Sequence, residues 1–173
     1  VVPESGAVPV RRDMPLDTAW LVGCAVRTGV GAVTNTARVE PGATGAVIGC
    51  GGVGLNAVQG AVLAGAGRII AVDMLDNKLA YAREFGATDT VNAGNGDAVA
   101  RVVEMTGGGV DYAFEAIGNS TTIQQAYDML ALGGTAVIVG MAPEDDEVTL
   151  NALSFPRTER AIVGSWYGGA RPW

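Results

Sequence analysis

Histidine is absent from the chain. With it goes the side chain most used near neutral pH as general base, proton shuttle and metal ligand. Cysteine is almost as scarce: Cys24 and Cys50 are the only two, and without an export signal they read as reduced thiols, not a disulfide framework. Basic residues number 11 against 18 acids, for a net charge of −7, and the only adjacent basic pair is Arg11 and Arg12. No basic footprint for a phosphate backbone exists, so nucleic acid is not an expected partner. No apolar run reaches the ~18 residues of a membrane span, and the opening VVPESGAVPV lacks the charged-then-apolar order of a signal peptide. A cytoplasmic protein with no membrane partner is the expectation.

What the chain has is glycine and apolar residues: 26 glycines and 49% hydrophobic content in 173 residues. The glycines fall between hydrophobic runs, with neither period nor low complexity, which suits one packed domain and excludes collagen-like or disordered classes. Residues 1–17 read as an irregular lead-in and 18–173 as a single domain without linker or repeat. From Leu16 to Gly42 the pattern is an interrupted helix, with Val30, Val33 and Ala37 on one face and EPG as its stop.

Strand-like and helix-like segments then alternate. TGAVIG (44–49) leads into a helix with Leu55, Val58 and Val62 on one face. RIIAVD (68–73) leads into a helix with Leu75, Leu79 and Ala82, capped by Gly86. TDTV (88–91), a helix over 97–105, VDYAFEA (110–116), a helix around 120–131 and GTAVIVG (134–140) continue the series. After the acidic run EDDE (144–147), taken as a solvated loop, come a short strand near VTLNA and a last apolar run, AIVGSW. Apolar strands each followed by a helix imply an α/β fold, a doubly wound parallel sheet of about six strands covered on both faces, that is, a Rossmann fold.

The segment VIGCGGVGLNAV carries G-x-G-x-x-G as Gly49, Gly51 and Gly54, directly after a strand and opening a helix. Gly49 permits the turn, Gly51 lets backbone approach a pyrophosphate without a Cβ in the way, and Gly54 lets helix pack on strand; the amides around Gly52 and Val53 then face the phosphates. Asp73 ends the next strand, 19 residues beyond Gly54, where a carboxylate can accept hydrogen bonds from a ribose diol. Its charge repels a 2′-phosphate, which favours NAD over NADP. Lys78, one turn on, reaches the same ribose or is a solvated surface charge, and Asp73 on the bland reading merely caps the helix at Leu75. Ile117 and Gly118 after strand four, and Val139, Gly140 and Met141 at the end of strand five, neighbour the nicotinamide ribose or are strand-terminal packing. An S-adenosylmethionine methyltransferase also uses a glycine loop and an acid after strand two, but its usual loop lacks the third glycine at this spacing.

The segments GCAVRTGVGAV, VEPGATGAVIGCGGVGLNAVQGA, RIIAVDMLDNKLAYAREFGAT, GGVDYAFEAIG and GGTAVIVG together resemble the coenzyme domain of zinc-dependent alcohol dehydrogenases of the medium-chain dehydrogenase/reductase family, over residues 14–173. The resemblance implies that Cys24 is one ligand of a catalytic zinc and that Thr28 packs beside the nicotinamide. By its own surroundings in the sequence Cys24 is a small buried hydrophobe, since one thiol cannot hold zinc. A catalytic zinc needs three protein ligands, so zinc is expected only in a longer enzyme, and the chain reads as an excised coenzyme domain that binds NAD without catalysing. Cys50 reads as packing. Arg27 stands where the family often has a small or hydroxyl residue; it could face coenzyme phosphate, a substrate acid or solvent, and solvent is the default. The implied substrate is a small alcohol or aldehyde, and the implied assembly a homodimer through the last sheet strand; a non-catalytic NAD-responsive module is the alternative.

Overall fold

The computed structural model describes residue 7 and residues 9–169. The rest of the expected lead-in, residues 1–6 and 8, and the end of the expected last run, 170–173, lie outside the described residues. Six strands form one sheet: β1 Thr44–Ile48, β2 Arg68–Asp73, β3 Asp89–Asn92, β4 Val110–Glu115, β5 Leu130–Ile138 and β6 Ala161–Gly164. Their order is β3-β2-β1-β4-β5-β6, and every neighbouring pair is parallel. β1 is therefore where the winding reverses: β2 and β3 lie to one side of it, β4 to β6 to the other. In such sheets the crevice for a ligand opens at the carboxyl ends of the strands flanking the reversal.

Because strand side chains alternate, each apolar strand feeds two cores. On one face Val47, Ile69, Ala71, Phe114 and Val137 pack with Val33, Val58 and Leu79. On the other, Ala46, Ile48, Ile70, Val72 and Ala113 pack with Val102, Tyr127, Met129 and Leu130. Burying one such Ile or Leu contributes about 1.5–3 kcal/mol. The covering helices are α1, residues 16–37; α2, Gly52–Leu63; α3, Asp76–Glu84; α4, Ala98–Thr106; α5, Ser120–Asp128; and the short α6, Ser154–Thr158. α4 and α5 begin at conventional caps: Asp97 accepts the Ala100 N–H and Asn119 the Thr122 N–H.

Several expected elements shift. α1 already includes Leu16 and Asp17, and is unbroken: α-helical Leu16–Leu21 and Arg27–Gly31 alternate with π-helical Val22–Val26 and Ala32–Ala37 before Arg38 turns left-handed at φ 53°. The buried face of α2 is Gly54, Ala57, Val58 and Ala61, while Val62 is exposed. Small residues win that face because α1 lies against it; a Cβ on Gly29 would run into the Val53 carbonyl. No strand forms at VTLNA; the segment stays irregular, with Leu150 tucked against the core. β5 starts four residues early, at Leu130, and its register on β4 shifts between Val110 and Tyr112 because exposed Leu132 and Gly133 bulge out.

Candidate coenzyme site

Gly49 leaves β1 at φ +93°, a conformation only glycine takes without strain, and its N–H donates to the Val72 carbonyl at 2.8 Å. Gly51 is the extended N-cap residue of α2, and no side chain caps that helix. Its first amides are therefore uncommitted and carry the positive end of the helix dipole. A Cβ on Gly51 would meet nothing, whereas one on Gly54 would run into the Gly49 carbonyl. The two glycines thus serve different ends: Gly54 closes helix onto strand, and Gly51 keeps open space above the turn. Gly52 is exposed beside Ala25.

Asp73 joins the loop to the next strand. It is 9% exposed; one carboxylate oxygen accepts the Cys50 N–H at 2.8 Å and the other the Leu75 N–H at 3.0 Å. Lys78 Nζ lies 3.8 Å from Oδ2. The helix-entry bond to Leu75 is therefore real, but it does not exhaust the group: a carboxylate has about four acceptor positions, and two remain for a diol. Cys50, between the glycines, is buried with Sγ 3.8 Å from the Val72 carbonyl. Burial, reinforced by the nearby Asp73 charge, pushes its thiol up to about 12, so Cys50 is packing and no nucleophile.

A cleft of about 890 Å³ runs past Gly49, Gly51, Asp73, Lys78, Ile117 and Thr122. A smaller hollow of about 260 Å³ is lined by Cys24, Thr28, Val53, Val139, Gly140 and Met141. Ala116 borders both, so the two form one crevice over the carboxyl ends of β1, β4 and β5. Of the site residues expected from the sequence, all but Gly52, Gly54 and Gly118 line it. Cys24 is exposed, not the small buried hydrophobe that its sequence surroundings suggested. Arg27 does not face solvent either: its guanidinium carbon lies 5.0 Å from the Tyr167 ring centre, and its Nε is buried without a partner.

Two features escaped the sequence reading. The chain beyond β6 turns into the smaller hollow as Ser165, Trp166 and Tyr167. Thr36 Oγ1 to Ser165 Oγ at 2.9 Å and Asn35 Nδ2 donating to the Gly168 carbonyl at 3.0 Å fasten that turn to α1, and Tyr167 is left-handed at φ 48°. Aromatics bracketed by glycine in GSWYGG were the signal. The other is Glu115, fully buried at the end of β4; an acid closing an apolar strand could have been noticed.

Uncommitted amides, a bare turn and a carboxylate one strand over define a dinucleotide-binding Rossmann domain. The zinc-binding dehydrogenase family matches over residues 52–173, and the chain belongs to that family. Among its relatives, the probable S-(hydroxymethyl)glutathione dehydrogenase 1 of Schizosaccharomyces pombe is 43% identical, covering 99% of this chain and 46% of that protein. The class-3 alcohol dehydrogenase of Cereibacter sphaeroides is 42% identical, over 99% and 48%. Of solved structures, the benzyl alcohol dehydrogenase of Acinetobacter calcoaceticus superimposes with a TM-score of 0.91 at 33% identity, covering 95% of this chain and 46% of that one. An alcohol dehydrogenase zinc-binding domain protein from Burkholderia ambifaria gives 0.90 at 38%, over 94% and 44%. The chain thus spans about half the length of these relatives.

A dinucleotide suits this donor set. Zinc does not: no group of three or more cysteine, aspartate or glutamate side chains among the described residues could hold a metal ion.

Proposed function

We propose that the chain binds NAD as the coenzyme domain of an alcohol dehydrogenase. One observation carries the reading: the Cys50 amide, inside the glycine turn, is bonded to the carboxylate of Asp73, so phosphate turn and sugar acceptor are held at a fixed distance in one crevice. The amides of Gly51, Gly52 and Val53 would take the pyrophosphate, and Asp73 with Lys78 the adenosine ribose. Thr28, Val139, Gly140 and Met141 would flank the nicotinamide, with Ile117 beside its ribose. Bound NAD would supply a hydride acceptor; the chain's part is to orient the ring and keep water from its face.

Cys24, exposed in the same hollow, is assigned as one thiolate donor to a catalytic zinc completed by ligands from outside this chain, which by itself binds coenzyme without turnover. The substrate is a small alcohol or aldehyde, in line with the relatives' names, and the compartment the cytoplasm. β6 is an edge strand with Val163 and Gly164 exposed, so a homodimer that continues the sheet there would cover it.

Calorimetric titration with NAD, NADP and S-adenosylmethionine tests the coenzyme reading. Saturable binding of NAD with NADP at least tenfold weaker is expected; binding of S-adenosylmethionine alone would overturn it. Asp73→Ser is expected to narrow the NAD over NADP preference, and unchanged discrimination would remove the role given to that carboxylate.

A further inference from the structure

Seven asparagines occur in the chain, and only Asn95 is followed by glycine. The others precede Thr36, Ala57, Lys78, Ala93, Ser120 and Ala152. Most of those six side chains are committed. Asn35 donates to the Gly168 carbonyl, Asn56 to the Gly52 carbonyl and Asn92 to Asp76, while Asn119 accepts the Thr122 N–H and Asn151 the Leu153 N–H. Asn77 lies inside α3, where the helix holds its backbone. Asn95 differs from all of them: it is exposed, as is Gly96, and its carboxamide has no hydrogen-bond partner among the described residues.

Asn95 ends a single 3-10 turn, Ala93–Asn95, between β3 and α4. One exposed turn of that kind costs little to open. Gly96 follows at φ +146°, a conformation that L side chains rarely adopt, and a Cβ built on it would meet nothing within 4 Å. Neither a side chain on Gly96 nor a neighbouring segment therefore bars its nitrogen from the Asn95 carboxamide. We infer that Asn95 is a site of spontaneous covalent modification, in which the amide becomes an acid through a cyclic imide. The Gly96 nitrogen bonds to Asn95 Cγ as the Cγ–Nδ2 bond breaks, and ammonia leaves with the proton that Gly96 gives up. Water then opens the imide. Attack at Cγ returns an aspartate, whereas attack at the main-chain carbonyl leaves an isoaspartate, whose backbone is one methylene longer. Chain and water are the only reactants. Either product carries one negative charge more than the −7 of the unaltered chain. The change falls between Ala93, which lines the larger cleft, and Asp97, which caps α4 by accepting the Ala100 N–H at 3.1 Å.

The test is to age the folded chain in mildly alkaline buffer beside a sample unfolded in urea, and to follow every asparagine by peptide mass spectrometry with the isoaspartate form resolved. In the folded chain Asn95 is expected to convert several-fold faster than each of the other six, giving both aspartate and isoaspartate. Its rate should lie within about tenfold of that in urea, because the turn opens readily. On anion exchange the aged chain should gain a more acidic species that Asn95→Gln, whose longer side chain closes an imide poorly, does not. Conversion of Asn95 in urea alone would show that the fold protects it, and earlier conversion of another asparagine would place the reaction elsewhere. Either result overturns the inference, as does the absence of conversion in both samples. Aspartate without isoaspartate would mean direct hydrolysis and would overturn the imide route.

Discussion

Gly51 and Gly54 look alike in the sequence and differ in what surrounds them. Open space at Gly51 means Gly51→Ala should fold normally, with Tm within about 2 °C of the unaltered chain, and lose at least tenfold in NAD affinity. The Gly49 carbonyl beside Gly54 means Gly54→Ala should cost about 2–4 kcal/mol in stability as well. Thermal melts with paired titrations separate the two. Cys50 makes a second prediction. Its thiol stays protonated in the folded chain up to about 12, whereas an unfolded thiol ionises near 9.0. The unfolded state thus loses its proton first, and stability present below 9 falls as pH rises between these values. Melts across pH 8–11 should decline more steeply for the unaltered chain than for Cys50→Ala, and identical slopes would contradict the burial argument. Maleimide at neutral pH should label exposed Cys24 and spare Cys50. The glycine spacing and Asp73 were legible because their chemistry is local. The surroundings of Cys24 and Arg27 were not, because the ring of Tyr167 comes from 140 residues further along the chain.

Among the elements, the parallel strands were readable from their lack of polar alternation, and the helices between them from their period. The misjudged segments have physical reasons. Of the apolar row Leu55, Val58 and Val62, α2 buries Val58 and packs Leu55 against the core but leaves Val62 exposed, and the rest of its buried face is glycine and alanine because α1 approaches closely. VTLNA has strand-forming residues, but the strand before it, β5, already pairs β4 on one side and β6 on the other, and the segment instead packs Leu150 against the core. β3 is held at the opposite edge by Arg68, whose Nε and Nη2 donate to Asp89 at 2.9 and 3.1 Å while Nη1 reaches the Met105 carbonyl. The guanidinium holds the Asp89 carboxyl below its ordinary value of 3.8. A lowered folded value means stability is present above the unfolded one and is lost as pH falls through the folded one. Arg68→Ala should therefore cost about 1 kcal/mol at pH 7, discounted for partial exposure, with the difference from the unaltered chain shrinking below pH 4. A denaturant series at pH 7 and pH 3 reads both.

At the scale of the whole molecule, the winding reversal at β1 puts glycine turn, acid and the β4 and β5 loops at one end of the sheet, and this much followed from strand order and the rule that ligands enter there. The edge strand β6 gives a prediction at the same scale. If the sheet continues across a two-fold axis, sedimentation should report a dimer, and Gly164→Pro, which removes an amide facing away from β5, should yield monomer with NAD affinity unchanged within about twofold. A monomer in the unaltered chain at high concentration would reject the assembly. The most direct single measurement is calorimetric titration of the unaltered chain with NAD: one site per chain and an affinity at least tenfold above that for NADP are expected. Heat no greater than dilution would mean that the turn between β1 and α2 holds no pyrophosphate.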